Sequence, residues 1–215
     1  MNLTEQTAIL LERLRETPRH LPQTENQALG ELFTLYRERL WRMLLVRLDG
    51  RLASRISSED VLQETFLDLA KRIGDYLSDP VVPFYVWLRY LTVQRMLMIQ
   101  RAHLGAHKRN VNRELDLPGT QGSMASSDSM AGQLVSQMTS PSQAAIRHEL
   151  QTRLRAALDE MDPTDREVLA LRHFEELGNN EVALVLGISK DAASKRYMRA
   201  LKRLRGIFAG AASTM

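Results

Sequence analysis

The sequence predicts an all-α protein: two small helical domains joined by a flexible linker, the second built around a helix-turn-helix. Three observations carry this prediction. Apolar residues recur at helical spacing almost throughout, without the alternation a half-buried strand needs. In the middle, Gly119–Ala145 turns to Ser, Gly, Gln and Met, with no aromatic residue and almost no charge. Near the end, EVALVLGISKDAASKRYMRALKRLR (Glu181–Arg205) opens apolar, turns at a glycine and becomes strongly basic.

The first helix is predicted from Gln27 to Leu48, with Leu29, Leu32, Phe33, Tyr36, Leu40, Met43 and Leu44 on its apolar face and Asp49-Gly50 as its stop. A second helix is announced by SSED, in which Ser57 and Asp60 have capping-box spacing. Its apolar face is Leu62, Phe66, Leu69 and Ile73. The two prolines of SDPVVPF make a loop, and a third helix follows with Phe84, Trp87, Leu88 and Leu91 on one face. Trp87 has core spacing and is assigned to the core.

The middle stretch has too little apolar surface to offset the entropy of ordering it, which predicts a tether. The second domain opens with Ile146, Leu150, Leu154, Leu158 and Met161 at near-fourfold spacing. Asp162 suits an N-cap and Pro163 the first helical position, and Val168, Leu169, Leu171 and Phe174 continue the core. The resulting division is an N-terminal extension (1–26), a first domain (27–113), a flexible linker (114–145), a helix-turn-helix domain (146–208) and a tail (209–215).

Composition narrows the function. The 215 residues are 44% apolar, carry a formal charge of +3 and include no cysteine. Disulfides, cysteine nucleophiles and cysteine-based zinc sites are therefore excluded. Neither a secretion signal nor a membrane-length apolar run is visible, which predicts a cytoplasmic protein with no membrane partner. His103 and His107 have metal-ligand spacing, but no carboxylate completes the set. With no phosphate-cradling glycine loop and no nucleophile elbow, the reading is a protein without catalysis, metal or cofactor.

The basic segment fits a DNA reader. Val182, Ala183 and Leu186 form the inner face of its first helix, Gly187 permits the turn, Ile188 plugs it, and Ser189 is placed to cap the second helix. Ala193, Tyr197, Leu201 and Leu204 are predicted to point inward. Ser189, Lys190, Ser194, Lys195, Arg196, Arg199, Lys202 and Arg203 are left for DNA. Asp191 lies in the first turn, where the helix dipole favours an acid.

With both halves in view, the chain resembles the bacterial extracytoplasmic-function (ECF) sigma factors, two-domain specificity subunits of RNA polymerase. LDEMDPTDREVLALRHFEELGNNEVALVLGISKDAASKRYMRALKRLR looks like their region 4, which reads the −35 promoter element. SSEDVLQETFLDLAKRI and PFYVWLRYLTVQRML look like region 2, which binds the polymerase and opens the −10 element. The resemblance covers roughly Gln27 to Phe208 and implies core RNA polymerase and promoter DNA as partners, with an anti-sigma factor as a further one.

Carried onto this sequence, the resemblance makes Asp60, Gln63, Glu64 and Leu67 polymerase-facing. The family places aromatics and cations where this chain has Phe84, Tyr85, Trp87, Arg89 and Tyr90. Of the helix, the resemblance assigns Tyr85, Arg89, Gln94, Arg95 and Arg101, with the loop Ser78–Pro83, to the melted −10 strand. Arg95 and Arg101 continue into a basic run with His103, His107, Lys108, Arg109 and Arg113 that suits backbone contact. Gln94 and Met98 stand where the family usually has asparagine and aspartate, so the −10 preference departs from the family pattern. The alternative reading is a stand-alone helix-turn-helix regulator with an N-terminal sensor or dimerisation domain.

Overall fold

The computed structural model describes residues 2–16, 22–48, 57–105, 124–136 and 144–212. Among them are nine α-helices and no strand. They are α1 (Leu3–Glu16), α2 (Pro22–Arg47), α3 (Ser58–Ser78), α4 (Phe84–Gly105), α5 (Ser127–Ser136), α6 (Ala144–Asp159), α7 (Pro163–His173), α8 (Asn179–Leu186) and α9 (Lys190–Ala212). The chain divides into two compact units: Met1–Trp41 with Ser54–Val111, and Arg42–Ala53 with Asn112–Met215. Helix α2 thus contributes to both.

In the first unit, Leu29, Leu32, Phe33, Tyr36 and Leu40 of α2 are buried with Val61, Leu62, Leu69 and Ile73 of α3 and Phe84, Leu88 and Leu91 of α4. The capping box expected at Ser57 is present. The Asp60 N–H donates to Ser57 Oγ at 3.0 Å and the Ser57 N–H donates to Asp60 Oδ2 at 3.2 Å. Two N–H groups that the first turn leaves without a helical partner are thereby satisfied. Phe66 sits at the rim, its ring edge-on to Phe33 at 5.3 Å. Trp87 is half-buried, its ring 4.8 Å from that of Tyr76. Within the extension, α1 buries Thr7, Leu10 and Leu14, and the Thr7 and Tyr36 hydroxyls share a hydrogen bond of 2.6 Å.

In the second unit, Leu150, Leu154 and Leu158 of α6 pack with Met161, with Leu169 and Ala170 of α7, with Phe174, and with Ala200 and Leu204 of α9. The expectation of a tether is corrected at Ser127–Ser136, which is helix α5. Met130, Ala131, Leu134 and Val135 form a stripe on one helical face and are buried in this same core. A Ser- and Gly-rich setting concealed four apolar residues at helical spacing. The linker positions 114–123 and 137–143 lie outside the described residues, as do Asp49-Gly50, His107, Lys108, Arg109, Arg113 and the His103 side chain. Ile146, expected in the core, is 39% exposed.

Candidate nucleic-acid and polymerase interfaces

The helix-turn-helix is α8, its turn and α9. The Gly178 N–H donates to Glu181 Oε2 at 2.7 Å, closing the start of α8, and Val182 and Ala183 are buried. Helix α8 ends at Gly187, whose φ of 62° lies in the left-handed region that glycine enters without penalty. The Ile188 N–H then donates to the Ala183 carbonyl, and Ser189 Oγ accepts the Ala192 N–H at 3.1 Å, capping α9. The Asn179 side chain donates to the Lys190 carbonyl at 2.8 Å, tying the two helices across the turn.

Ala193, Ala200 and Leu204 are the buried residues of α9, with Tyr197 partly buried beside them. Leu201 is corrected: one position past Ala200, it turns outward and is 36% exposed. Exposed together are Ser189, Lys190, Ser194, Lys195, Met198, Arg199, Lys202, Arg203 and Arg205.

The three predicted arginines differ from the lysines. Arg196 Nη1 donates to Asp165 at 2.7 Å and to Asp162 at 3.0 Å, and its side chain is only 28% exposed. Arg199 Nε donates to Asp165 Oδ2 at 2.9 Å, and Arg203 pairs with Glu160. Hydrogen bonding to Asp165, helped by the charges of Asp162 and Asp165, raises the Arg196 pKa against the opposing effect of burial. Arg196 is thus a bridge from α9 to the start of α7 more than a free cation. Burial pushes the Asp162 carboxyl up, but the Asp165 and Thr164 backbone N–H groups and Arg196 outweigh it and leave the pKa lowered.

In the first unit, α3 presents Asp60, Gln63 and Leu67 outward, Leu67 being 50% exposed. Asp60 is at the same time the capping carboxylate, and hydrogen bonds to the Ser57 side chain and backbone lower its pKa. Glu64 is intermediate and lies 3.5 Å from Arg95. Arg95 is clamped by Asp68 (Nε to Oδ2, 2.8 Å), which raises its pKa and makes it a strut between α3 and α4.

Tyr85 is corrected as a strand-contacting residue. It is 2% exposed, stacked on Tyr36 at 5.3 Å with the Arg39 guanidinium 3.8 Å from its ring centroid. The aromatic ring that α4 does expose is Tyr90, at 42%, whose hydroxyl accepts from Gln94 Nε2 at 2.8 Å. Tyr90, Gln94 and Met98 recur every four residues, so they share one outward stripe, with Met98 55% exposed. That spacing was the available signal for Tyr90. Arg89 is of intermediate exposure and Arg101 is exposed. The loop before α4 is held by the Tyr76 hydroxyl donating to the Val82 carbonyl at 3.1 Å, and it leaves Val81 80% exposed.

Residues 151–204 match a family described as Sigma-70, region 4. Three characterised proteins are similar over most of the chain. The ECF RNA polymerase sigma factor BldN of Streptomyces coelicolor is 24% identical over 192 residues, 89% of this chain and 64% of that protein. The RNA polymerase sigma-H factor of Pseudomonas aeruginosa is 22% identical over 84% of this chain and 92% of its own length. The RNA polymerase sigma factor CnrH of Cupriavidus metallidurans is 29% identical over 69% of this chain and 72% of its own. A solved structure of CnrH in complex with the cytosolic domain of CnrY has a similar fold, with a TM-score of 0.52, 21% identity, and coverage of 95% of this chain and 98% of that one.

Proposed function

We infer that this chain is an ECF sigma factor of RNA polymerase, and that its parts divide the work of starting transcription. The second unit reads the −35 element. The observation that carries this reading is the outward face of α9, where Lys190, Ser194, Lys195, Arg199 and Lys202 stand exposed behind the Gly187 turn. A helix with this geometry fits the major groove, and its lysines neutralise phosphates.

The first unit binds core polymerase and opens the −10 element. On α3, Gln63 and Leu67 offer a polar face with one exposed leucine, which suits a helix-on-helix interface. On α4, Tyr90 and Gln94, with Arg101 and the loop around Val81, supply a stacking ring, a base-edge donor and a cation for the separated strand. Stacking one base on an aromatic ring is worth about 1–3 kcal/mol, comparable to the mean of about 1.4 kcal/mol per base step lost on opening.

CnrH has been solved with the cytosolic domain of CnrY. That pairing supports an anti-sigma partner for this chain too, one that occupies faces polymerase would use. Among the described residues no helix is long and apolar enough to cross a membrane. Work beside the polymerase, as the sigma-factor relatives suggest, would put this chain's action in the cytoplasm. The stand-alone regulator is not favoured, since the similar proteins that span both halves are sigma factors.

The test is transcription from a random-promoter DNA library by the purified chain with bacterial core polymerase, against core alone. New transcripts sharing two upstream motifs are expected. DNA binding without any new transcript would favour the stand-alone regulator.

A further inference from the structure

Asp165 lies in the first turn of α7 and is 3% exposed, yet its carboxylate faces the DNA-reading helix. Its Oδ1 accepts from Arg196 Nη1 at 2.7 Å and from Arg199 Nη2 at 3.3 Å, while Oδ2 accepts from Arg199 Nε at 2.9 Å. The two arginines are held differently. Arg196 is largely covered, whereas the Arg199 side chain is 63% exposed and shares the face of Lys195 and Lys202.

The planar guanidinium has two long edges. Asp165 engages the edge formed by Nε and Nη2 of Arg199, which leaves Nη1 and one Nη2 hydrogen directed elsewhere. Two parallel N–H groups in that arrangement match the O6 and N7 acceptors that guanine presents in the major groove. A lone arginine would have to fix several torsions on binding, and here a buried carboxylate has already fixed them. We propose that Asp165 is a positioning residue for promoter recognition, orienting Arg199 by one edge so that its free edge reads a guanine. The proposal rests on the reading of α9 as the −35 helix.

The arrangement separates two roles on one helix. Lys190, Lys195 and Lys202 are point charges suited to phosphate, and they supply affinity that depends on salt and not on sequence. Arg199, partly neutralised by Asp165, adds little to that affinity. Its contribution is the direction of its hydrogen bonds. Removing Asp165 therefore releases positive charge and loses aim: binding to arbitrary DNA holds or strengthens while discrimination falls.

The experiment uses the full chain and duplexes carrying the upstream motif selected with core polymerase, each G·C pair of the motif replaced in turn. Binding is followed by fluorescence anisotropy across a salt series. Asp165→Asn is expected to cut discrimination at one G·C pair by about tenfold or more. It should leave the other positions unchanged, and the salt dependence should hold or steepen by up to about 0.9 per freed cation. Arg199→Ala should lose discrimination at the same pair, and combining the two should remove nothing further there.

A merely structural role predicts something else: weaker binding to all sequences in parallel with a lower melting temperature. That result would overturn the proposal, as would undiminished discrimination at every pair in Asp165→Asn. Because Asp165 also holds Arg196, Arg199→Lys is a second variant on an exposed side chain that keeps the charge. It must lose discrimination at the same pair while keeping affinity for arbitrary DNA, and retention would equally overturn the idea. If the unaltered chain selects no upstream motif, the −35 reading itself fails. If it selects one and only the Asp165 variants behave as wild type, the −35 reading stands and this proposal falls.

Discussion

Arg47 Nη1 lies 2.7 Å from Glu175 Oε1, and neither side chain has any exposed surface. The same guanidinium pairs through Nη2 with Glu167, whose other oxygen accepts the Ala125 N–H at 2.9 Å. A cation from the end of α2 thus sits in the second unit's interior, compensated by two carboxylates and joined to the segment leading into α5. Beside it, the Ser126 N–H donates to the Val46 carbonyl at 2.8 Å.

Removing the cation leaves two buried carboxylates with less compensation. Arg47→Ala should therefore destabilise the second unit by about 3–5 kcal/mol. Replacing all three together, Arg47→Met with Glu167→Gln and Glu175→Gln, should recover much of that loss, because the cost lies in the uncompensated charge. Urea unfolding of the single and triple variants checks this, with equal destabilisation of both as the outcome that would refute it.

Gly187 sets the angle between α8 and α9 through its positive φ. A Cβ there would meet nothing within 4 Å, so the cost of Gly187→Ala is conformational and not steric. It should be about 1–2 kcal/mol, the ordinary penalty for an L-residue in the left-handed region. A loss several times larger in thermal or urea unfolding would mean that the turn is held by contacts beyond its backbone.

Much of this was legible in the sequence because local rules were enough. Ser57 with Asp60, Asp162 with Pro163, and Gly187 with Ser189 are short-range devices, and each sits where its chemistry predicts. What escaped was either averaged away or long-range. Helix α5 vanished into a Ser- and Gly-rich composition although four of its residues share a buried stripe. Tyr85 and Tyr90 look alike in a list of aromatics, but only their position around the helix separates a core ring from an exposed one. The pairing of Arg196 and Arg199 with Asp165 spans 31 and 34 residues, beyond any local pattern.

The Asp60 carboxylate accepts a backbone N–H in the capping box and should titrate below an ordinary aspartate. Its folded pKa is lower than its unfolded one, so its stabilising effect on the start of α3 is fully present above the unfolded value. That effect fades as the pH falls through the folded value, in the acid range below about 4. Ser57→Ala removes the leading cause and should move the Asp60 midpoint upward. Carbon-13 NMR of the carboxyl across a pH series measures this, and an unmoved midpoint would assign the lowering to another source.

Tyr85 and Tyr90 make opposite predictions from neighbouring turns of α4. Tyr85 is buried against Tyr36 and Arg39, so Tyr85→Ala should cost about 3 kcal/mol or more in stability and lower every activity of the first unit together. Tyr90 is exposed, and Tyr90→Ala should change stability by no more than about 0.5 kcal/mol. If its ring receives an unpaired base, the loss falls on strand separation, at about 1–3 kcal/mol, or roughly 5- to 150-fold in the open-complex equilibrium. Permanganate footprinting of the −10 region separates the two, because it reports unpaired thymines, while a polymerase-binding assay on the same variants reports the intact first unit. Full −10 reactivity in Tyr90→Ala would move the stacking role away from this ring and towards the loop around Val81.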